Sequence, residues 1–426
     1  MSPSVHTASA APEPESLPLR AATLIFLSFA FAYFFSALVR GVTATLAPNF
    51  SSELGLSAAD LGLLAGAYFF GFAAMQLPLG GALDRFGPRR VLLAFIGVAV
   101  VGCAAFAMAR SFTGLTVARA LIGVGVSACL MAPMTTFRHR FGTTAQMRAN
   151  SWMLMTGSLG MVASTLPVQW LLPVIGWRGL FWALAALFVV ALLTIARLVP
   201  HDAPAHAAGH PQRGADRARA GYREVFRHPT FVRFAPMGFF LYGGMVAVQS
   251  LWAGPWMARV GGLTPQDTAR GLFSINVAML ATFMGWGVVV PRLYARGWTA
   301  QRLIAGGVPI AVAVLVLAVL LGSRAGAWVW GLFCVSCTVV SLSQPAIGQA
   351  FPPALAGRAL SAYNLLIFVG VFVLQWGIGL VIDALQAIGW RVESSFQGAF
   401  ALLAGCCAMS YVWFLRRGDA GVPVPH

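Results

Sequence analysis

The sequence predicts an all-α membrane protein in which twelve transmembrane helices form two pseudo-symmetric six-helix bundles. Hydrophobic residues make up 59% of the 426, the mean hydropathy is +0.79, and only 9% of the residues are charged. Soluble globular domains carry about 25% charged residues, so this composition excludes a disordered chain, a nucleic-acid-binding domain and an ordinary cytosolic enzyme. Two further observations predict this fold class: twelve apolar runs have the length of a membrane span, and a repeat relates the first six runs to the last six.

Each predicted helix corresponds to one apolar run, because a spanning helix needs about 20 apolar residues. The runs lie near 21–46, 60–83, 91–109, 112–137, 150–173, 178–199, 232–256, 269–290, 301–321, 327–351, 361–385 and 396–415. Glycine and proline inside them do not argue against helices, since both are commoner in membrane helices than in soluble ones. Residues 1–19 lack the pattern of a secretory signal peptide and are interpreted as a flexible cytoplasmic tail.

The placement of the basic residues predicts the orientation of the chain. All 28 basic residues are arginines, and most of them fall in segments that are cytoplasmic if the N-terminus is cytoplasmic. Cytoplasmic loops of membrane proteins carry an excess of basic residues, so both termini are predicted to be cytoplasmic. The net charge of +16 is therefore interpreted as a consequence of topology, and we expect no nucleic-acid partner.

Several short patterns recur at nearly one offset in the two halves of the chain. Pro48, Gly55 and Asp60 match Pro255, Gly262 and Asp267, and Gly176-Trp177-Arg178 matches Gly389-Trp390-Arg391. Repeats in the same orientation are typical of one large class of transporters. The predicted organisation is a tail (1–19), two bundles (20–199 and 231–417), a cytoplasmic linker (200–230) with a short amphipathic helix around Tyr222 to Phe226, and a tail (418–426).

One polar motif lies between the second and third runs, on the predicted cytoplasmic side. Its residues are Gly80, Asp84, Arg85, Gly87, Arg89 and Arg90. Together with Arg119-Ala-Leu-Ile-Gly123 in the fourth run, this motif resembles the signatures of the major facilitator superfamily, and the resemblance covers residues 20–417. It implies a secondary transporter with alternating access, in which Asp84 faces the N-terminus of the eleventh helix near Ser361 and locks the outward-open state. The alternative is a turn that merely obeys the positive-inside rule.

The sequence departs from the family pattern in two places. No Asp or Glu occurs between Asp84 and Asp202, so the acid that often pairs with the motif's basic residues is absent or replaced by carbonyl groups. The fifth run, with Gly157-Ser-Leu-Gly160 and a distant Pro167, matches the antiporter motif poorly. That mismatch lowers the expectation of drug–proton antiport.

The resemblance places helices one, four, seven and ten around a central cavity, where binding residues are expected. Helix one carries Tyr33, Ser36 and Arg40 at helical spacing. A charge within a membrane helix costs roughly 2.5 kcal/mol or more, so Arg40 should face a cavity or a partner. A guanidinium suits a carboxylate or a phosphate, which predicts an anionic group on the substrate. The alternative is that Arg40 snorkels to the lipid headgroups.

The second half offers polar and aromatic candidates. Helix seven places Tyr242, Gln249, Trp252 and Trp256 on one predicted stripe, although Trp256 also suits an interfacial aromatic belt. Gln344 in helix ten and Asn364 in helix eleven complete the predicted substrate-binding set. Each of these polar side chains also suits a hydrogen bond between helices.

No Asp, Glu or His lies in the middle of a run, so the candidates for coupling are an arginine and acids at the rim. Arg119 is predicted to join a charge network, with a hydrogen bond to helix carbonyls as the alternative. Asp60 and Asp267 occupy matching positions at outer helix ends and are rim candidates for coupling, although the sequence around them favours helix capping. Asp383 is a further rim candidate.

The sequence therefore predicts a monomeric, multi-pass transporter in a bacterial inner membrane, surrounded by membrane lipids. Its partners are a small organic solute with an anionic group and, if coupled, a co-transported proton. We expect no enzyme activity, no cofactor and no metal site. The alternatives are a proton-coupled multidrug efflux antiporter and, less favoured, a metal importer.

Overall fold

The structure is a computed structural model, and it describes residues 18–201 and 221–417. Within these two ranges every regular element is a helix and no strand occurs. We label twelve helical segments α1 to α12 in chain order. Each of the twelve predicted runs overlaps one of them.

The first half contains α1 to α6. α1 is Leu19–Leu54, and α2 consists of Ala58–Ala74 and Gln76–Phe86, which meet at a bend of 43°. α3 is Pro88–Met108, and α4 consists of Phe112–Val126 followed by Ala128–Arg140. α5 comprises Thr143–Ala163 and residues 166–175, and α6 comprises residues 177–198. Residues 166–175 and 177–198 belong to one helix, Leu166–Leu198, that is broken at Gly176.

The second half contains α7 to α12. These helices are Pro229–Val260, Pro265–Ala295, Ala300–Leu321, Ala327–Gln349, Pro353–Ala387 and Val392–Arg416. α7 includes three π-helical turns, Gly238–Tyr242, Val248–Trp252 and Trp256–Val260. A π-helical turn holds more residues than an α-helical turn and often lies at a functional site.

Ten helices in the described parts of the chain are long and apolar enough to cross a membrane, and the bent α2 makes eleven. The break at Gly176 divides one of the ten in two, so the structure is consistent with the twelve predicted spans. The fold class is therefore confirmed as an all-α, multi-pass membrane protein. The cytoplasmic location of both termini stays a prediction.

The predicted tails and linker lie largely outside the described residues. The described part of the linker is helical at residues 221–227, where the sequence predicts a short helix. Gly221 of this segment packs against Leu355 and Arg358 of α11. The chain that enters α7 therefore contacts the beginning of α11.

The repeat predicted from the sequence is visible in the backbone. Gly55 and Gly262, which match in the two halves, both have a positive φ, of 62° and 67°. Gly176 and Gly389 form a second such pair, with φ of 64° and 90°. L-residues with a side chain rarely adopt this conformation, so both halves turn at equivalent positions by the same means.

The two halves meet along α2 and α11. A Cβ atom added to Gly62 would lie 2.3 Å from the carbonyl oxygen of Gln375, and one added to Gly379 would lie 2.3 Å from that of Ala58. Further along, the Phe72 and Phe368 rings pack with centroids 4.5 Å apart. Because only glycine permits so close a backbone approach, the halves are in tight contact where α2 begins and α11 ends.

Candidate functional site

Arg40 of α1 is the centre of the candidate site. Its guanidinium carbon lies 6.0 Å from the ring centroid of Phe72. The guanidinium also lies beside the phenol groups of Tyr33, Tyr68 and Tyr242. Arg40 is half-buried and forms no ion pair with any residue that the structure describes. The aromatic rings shape a surface around a single positive charge.

No carboxylate lies beside Arg40. In the described ranges, the acidic residues lie at helix ends or outside the spanning helices; they are Glu53, Asp60, Asp84, Glu224, Asp267, Asp383 and Glu393. The two arginines of the helix interiors, Arg40 and Arg119, both belong to the first half. The site is therefore electropositive and has no protein counter-ion.

Three polar groups around Arg40 are buried, and their hydrogens find no oxygen or nitrogen acceptor among the described residues. They are the Ser36 hydroxyl, the Arg40 Nε–H and the Tyr68 hydroxyl. Ser36 and Arg40 are four residues apart on α1 and share one face of the helix. All three groups are able to donate a hydrogen bond. An acceptor placed between them would find several unused donors.

Both halves of the chain contribute to this site. Tyr33 from α1 packs against Gly157 of α5, where an added Cβ would lie 2.5 Å from the tyrosine ring. Tyr242 comes from the first π-helical turn of α7 and lies within electrostatic range of Arg40 and Tyr33. Four of the eight predicted binding residues therefore come together: Tyr33, Ser36, Arg40 and Tyr242.

The other two α7 candidates lie in different surroundings. Gln249 donates a hydrogen bond to Asn276 Oδ1 of α8 (2.8 Å) and is half-buried. Trp252 is fully buried, donates to the carbonyl oxygen of Gln375 (3.1 Å) and packs against Phe396. A fully buried ring offers no surface to a solute, so the interpretation of Trp252 as a stacking wall is corrected to an interior packing role.

Trp256 is also fully buried, which contradicts both interpretations of this residue. Its ring packs edge-on against Trp330 and Phe400, with centroids 5.0 and 5.1 Å away. It lies neither on a cavity surface nor in an interfacial belt. Trp256 belongs to an aromatic cluster inside the second half.

Gln344 and Asn364 form a pair between α10 and α11. Gln344 Nε2 donates to Asn364 Oδ1 at 3.1 Å, and both residues are half-buried. The adjacent Tyr363 is fully buried and donates to the Ser343 hydroxyl at 2.8 Å. The structure gives Gln344 and Asn364 a contact between helices, as the alternative interpretation states, and no contact joins them to Arg40.

Arg119 of α4 is almost fully buried and links three helices. Its Nη2 donates to the carbonyl oxygen of Val39 (2.9 Å) and to the Thr43 hydroxyl (2.5 Å), both in α1. Its guanidinium carbon lies 5.1 Å from the ring centroid of Tyr68 in α2. No acid takes part, so the network around Arg119 consists of a carbonyl, a hydroxyl and an aromatic ring.

The motif covers the end of α2 and the start of α3, and the chain turns between them at Gly87, where φ is 82°. Gly80, Asp84, Arg85 and Arg90 are exposed, and Asp84 has no partner among the described residues. Arg89 is buried and its Nη2 donates to the carbonyl oxygen of Ala196 (2.5 Å) near the end of α6. A carbonyl therefore serves as a partner of this basic residue, which is one of the two possibilities raised by the missing acid.

The rim acids Asp60 and Asp267 cap their own helices. Asp60 and Ser57 form a reciprocal capping box at the start of α2. Asp267 accepts a hydrogen bond from the Thr264 hydroxyl (2.7 Å) and pairs with Arg270. These contacts support the capping interpretation, and neither acid touches the other half of the chain.

Sequence reasoning missed Tyr68. It lies on α2, on which no binding residue was predicted. A signal was nevertheless present, because Tyr68 is the only residue between 61 and 75 whose side chain readily forms hydrogen bonds. A single phenol in a membrane helix needs a partner when it is buried.

Comparison with known proteins gives relatives of one kind. A profile of the Major Facilitator Superfamily matches residues 29–375. Three relatives are the probable sulfoacetate transporter SauU of Cupriavidus necator (25% identical, 62% of this chain), the multidrug resistance protein MdtM of Salmonella typhimurium (27%, 77%) and the gallate transporter of Pseudomonas putida (29%, 58%). The matches span 64%, 75% and 61% of the relatives' own lengths, so two of them cover less than two thirds.

Among solved structures, the fold is similar to that of a bacterial homologue of the human lysosomal transporter Spinster. The two chains superpose with a TM-score of 0.71 over 94% of this chain and 96% of the other, at 18% sequence identity. At this identity the likeness concerns the fold alone.

Proposed function

This chain belongs to the Major Facilitator Superfamily, and from that premise we propose that it moves a small organic solute with an anionic group across the membrane by alternating access. In this proposal the solute binds between the two halves, where Tyr33, Ser36, Arg40 and Tyr242 meet. The observation that carries the proposal is the Arg40 guanidinium, which has no counter-ion in the described structure.

The energetic argument rests on the cost of an unpaired charge. An arginine in the middle of a membrane helix costs roughly 2.5–3.5 kcal/mol even on the most lenient scale, and no carboxylate near Arg40 offsets it. A bound carboxylate or sulfonate would supply the missing charge and would accept the hydrogen bonds of a planar guanidinium. The gain appears only when the solute is bound, which favours a binding role.

Two of the relatives support an organic anion. The proteins from Cupriavidus necator and Pseudomonas putida are named for sulfoacetate and gallate, and both compounds are organic anions. Sulfoacetate and gallate are therefore suitable first probes. The proposal is limited to this chemical class.

Efflux of amphipathic drugs is the second candidate function, because a multidrug resistance protein is also among the relatives. A cationic drug would be repelled by the Arg40 guanidinium, and in the described ranges the carboxylates that could offset this repulsion lie at helix ends, away from Arg40. The electropositive site therefore favours an anion over a cationic drug.

The rest of the proposed arrangement follows the sequence. We place the chain in a bacterial inner membrane as a monomer with both termini in the cytoplasm, bundles at 20–199 and 231–417, and the linker 200–230 between them. Asp84 would lock the outward-open state against the start of α11. A co-transported proton is not assigned to any residue of the site.

A binding screen tests the proposal. The thermal stability of the purified full chain would be measured with sulfoacetate, gallate and the neutral amide of gallate. We expect the two anions to stabilise the protein and the amide not to, and we expect Arg40→Ala to remove the effect. Arg110→Ala, which changes an exposed arginine, is the matched control. Stabilisation that persists in Arg40→Ala would contradict the proposal.

A further inference from the structure

The buried hydroxyl of Tyr68 lies against the guanidinium of Arg40, which can donate a hydrogen bond to it but cannot accept one. Tyr68 lies in α2, its side chain is 0% exposed, and the hydrogen of its hydroxyl finds no acceptor among the described residues. An unsatisfied buried polar group costs about 1–3 kcal/mol. A phenylalanine would fill the same space without that cost, so the hydroxyl calls for another explanation.

The ring of Tyr68 is held in place on several sides. The guanidinium carbon of Arg119 lies 5.1 Å from its centroid, and Phe72 stacks on it at 6.2 Å. The backbone is fixed as well, because an added Cβ on Gly123 would lie 2.0 Å from the carbonyl oxygen of Tyr68. The hydroxyl therefore has a defined position, which is beside the guanidinium of Arg40.

Arg119 connects Tyr68 to the same stretch of α1 that carries Arg40. Its Nη2 donates to the carbonyl oxygen of Val39, the residue directly before Arg40, and to the hydroxyl of Thr43. One arginine thus fixes the local position of α1 and of the Tyr68 ring together. The position of the Tyr68 hydroxyl relative to Arg40 is therefore set by contacts of one buried side chain, that of Arg119.

The Ser36 hydroxyl adds a third buried donor to this place. Ser36 is 1% exposed, its hydroxyl finds no oxygen or nitrogen acceptor in the described chain, and it lies one helical turn before Arg40. Ser36 and Arg40 both lie beside Cys129 of α4. Tyr68, Ser36 and Arg40 therefore present donors to one region, and a carboxylate or sulfonate has enough lone pairs to accept from all of them.

We propose that Tyr68 is a substrate-binding residue whose hydroxyl donates a hydrogen bond to the anionic group bound by Arg40, and that Arg119 is a positioning residue that holds the Tyr68 ring. This inference rests on the proposed function, because it requires an anion at Arg40. It adds a residue from α2 to the site and assigns Arg119 a role that needs no acidic partner.

The inference also concerns selectivity. The donors select for an oxyanion with at least two acceptor atoms, and a neutral amide would turn its NH2 group toward one of them. A site built to hydrogen-bond one group rejects analogues that leave its buried donors unpaired. The preference for the acid over its amide should therefore shrink when the Tyr68 hydroxyl is removed.

Isothermal titration calorimetry on the purified full chain tests the proposal with gallate or sulfoacetate, whichever stabilises the wild-type protein more. We expect Tyr68→Phe to raise the Kd about tenfold, as loss of a hydrogen bond to a charged group implies, and to leave the melting temperature of the free protein unchanged or higher. Tyr294→Phe, which changes a partly exposed tyrosine, is the matched control. A lower melting temperature with an unchanged Kd would overturn the proposal and leave Tyr68 a structural residue.

Two further variants separate this inference from the proposed function. If Arg40→Ala binds the probe as tightly as the wild-type protein, the proposed function fails and the inference with it. If Arg40→Ala abolishes binding while Tyr68→Phe binds normally, the inference alone is wrong. Arg119→Met should weaken binding of the probe less in the Tyr68→Phe protein than in the wild-type protein, since part of its effect passes through the Tyr68 hydroxyl. Fully additive losses of binding free energy would contradict the positioning role.

Discussion

The carboxylate of Asp383 accepts a hydrogen bond from the backbone amide of Ala59 at 2.8 Å, and thereby joins the end of α11 to the start of α2. Its other oxygen accepts from the amide of Ala58 at 3.1 Å. The N-terminus of a helix carries a partial positive charge and favours an acid. The hydrogen bonds and ion pairs of Glu53, Asp60, Asp267 and Glu393 stay within their own half. Asp383 is thus the acid at this end of the described molecule that bridges the two halves.

The first prediction is that Asp383→Asn weakens the contact between the end of α11 and the start of α2. An amide keeps the size of the side chain but gives up the charge that the helix terminus stabilises. We expect the equilibrium to move about tenfold toward conformations in which α2 and α11 separate, since hydrogen bonds to a charged group contribute about 1.5–3 kcal/mol.

This shift is measurable as a distance between spin labels at positions 110 and 324, in the connections before α4 and α10. Both positions are exposed and lie at the Asp383 end of their halves. Asp267→Asn, which caps only its own helix, is the control. An unchanged distance distribution in Asp383→Asn would show that the contact does not hold the halves together.

The second prediction concerns the glycine contact beside Asp383. Gly62→Ala would place a methyl group 2.3 Å from the carbonyl oxygen of Gln375, which is too close for the present packing. Overpacking of this kind costs about 1–3 kcal/mol. We therefore expect the same label pair to report longer distances, by a mechanism that leaves Asp383 intact.

Gly97→Ala is the matched control, because a Cβ there meets nothing within 4 Å. It changes the same residue type in a membrane helix without touching the other half. Equal distance distributions for Gly62→Ala and Gly97→Ala would contradict a tight contact between α2 and α11.

The third prediction tests the proposed lock at Asp84. In this structure Asp84 is exposed and has no partner in the described ranges, so Asp84→Asn should leave the melting temperature unchanged. If Asp84 faces the start of α11 in another state, its loss should slow transport roughly two- to fivefold, the effect of removing one charge from a helix terminus.

Uptake rates in proteoliposomes and the melting temperature together check this prediction. Glu224→Gln, another exposed acid near the same predicted side, serves as control. Identical uptake rates for Asp84→Asn and the wild-type protein would remove Asp84 from the gate.

Much of the fold could be predicted from the sequence. The apolar runs located all twelve helical segments, because the length of a membrane helix is set by the bilayer. The repeat in the sequence pairs Gly176 with Gly389, and their positive φ values explain why both positions are glycine. Capping by Asp60 was also predictable, since a serine three residues before an acid is a local pattern.

The candidate site was only partly predictable, and α7 shows the physical reason. The predicted stripe of Tyr242, Gln249 and Trp252 assumes a constant helical period. The π-helical turns at Gly238–Tyr242 and Val248–Trp252 change that period. Tyr242 lies within electrostatic range of Arg40, whereas Trp252 is buried in the interior of the second half. Nothing in a helix that is apolar all round reveals such a change of phase.

Binding of the transported anion by Arg40 can be tested by uptake of radiolabelled gallate or sulfoacetate into proteoliposomes that contain the wild-type protein, Arg40→Ala or Arg110→Ala. We expect saturable uptake by the wild-type protein and by Arg110→Ala, and uptake by Arg40→Ala no higher than that of empty liposomes. Uptake by Arg40→Ala at the wild-type rate would contradict the claim that the unpaired charge of Arg40 binds the transported anion.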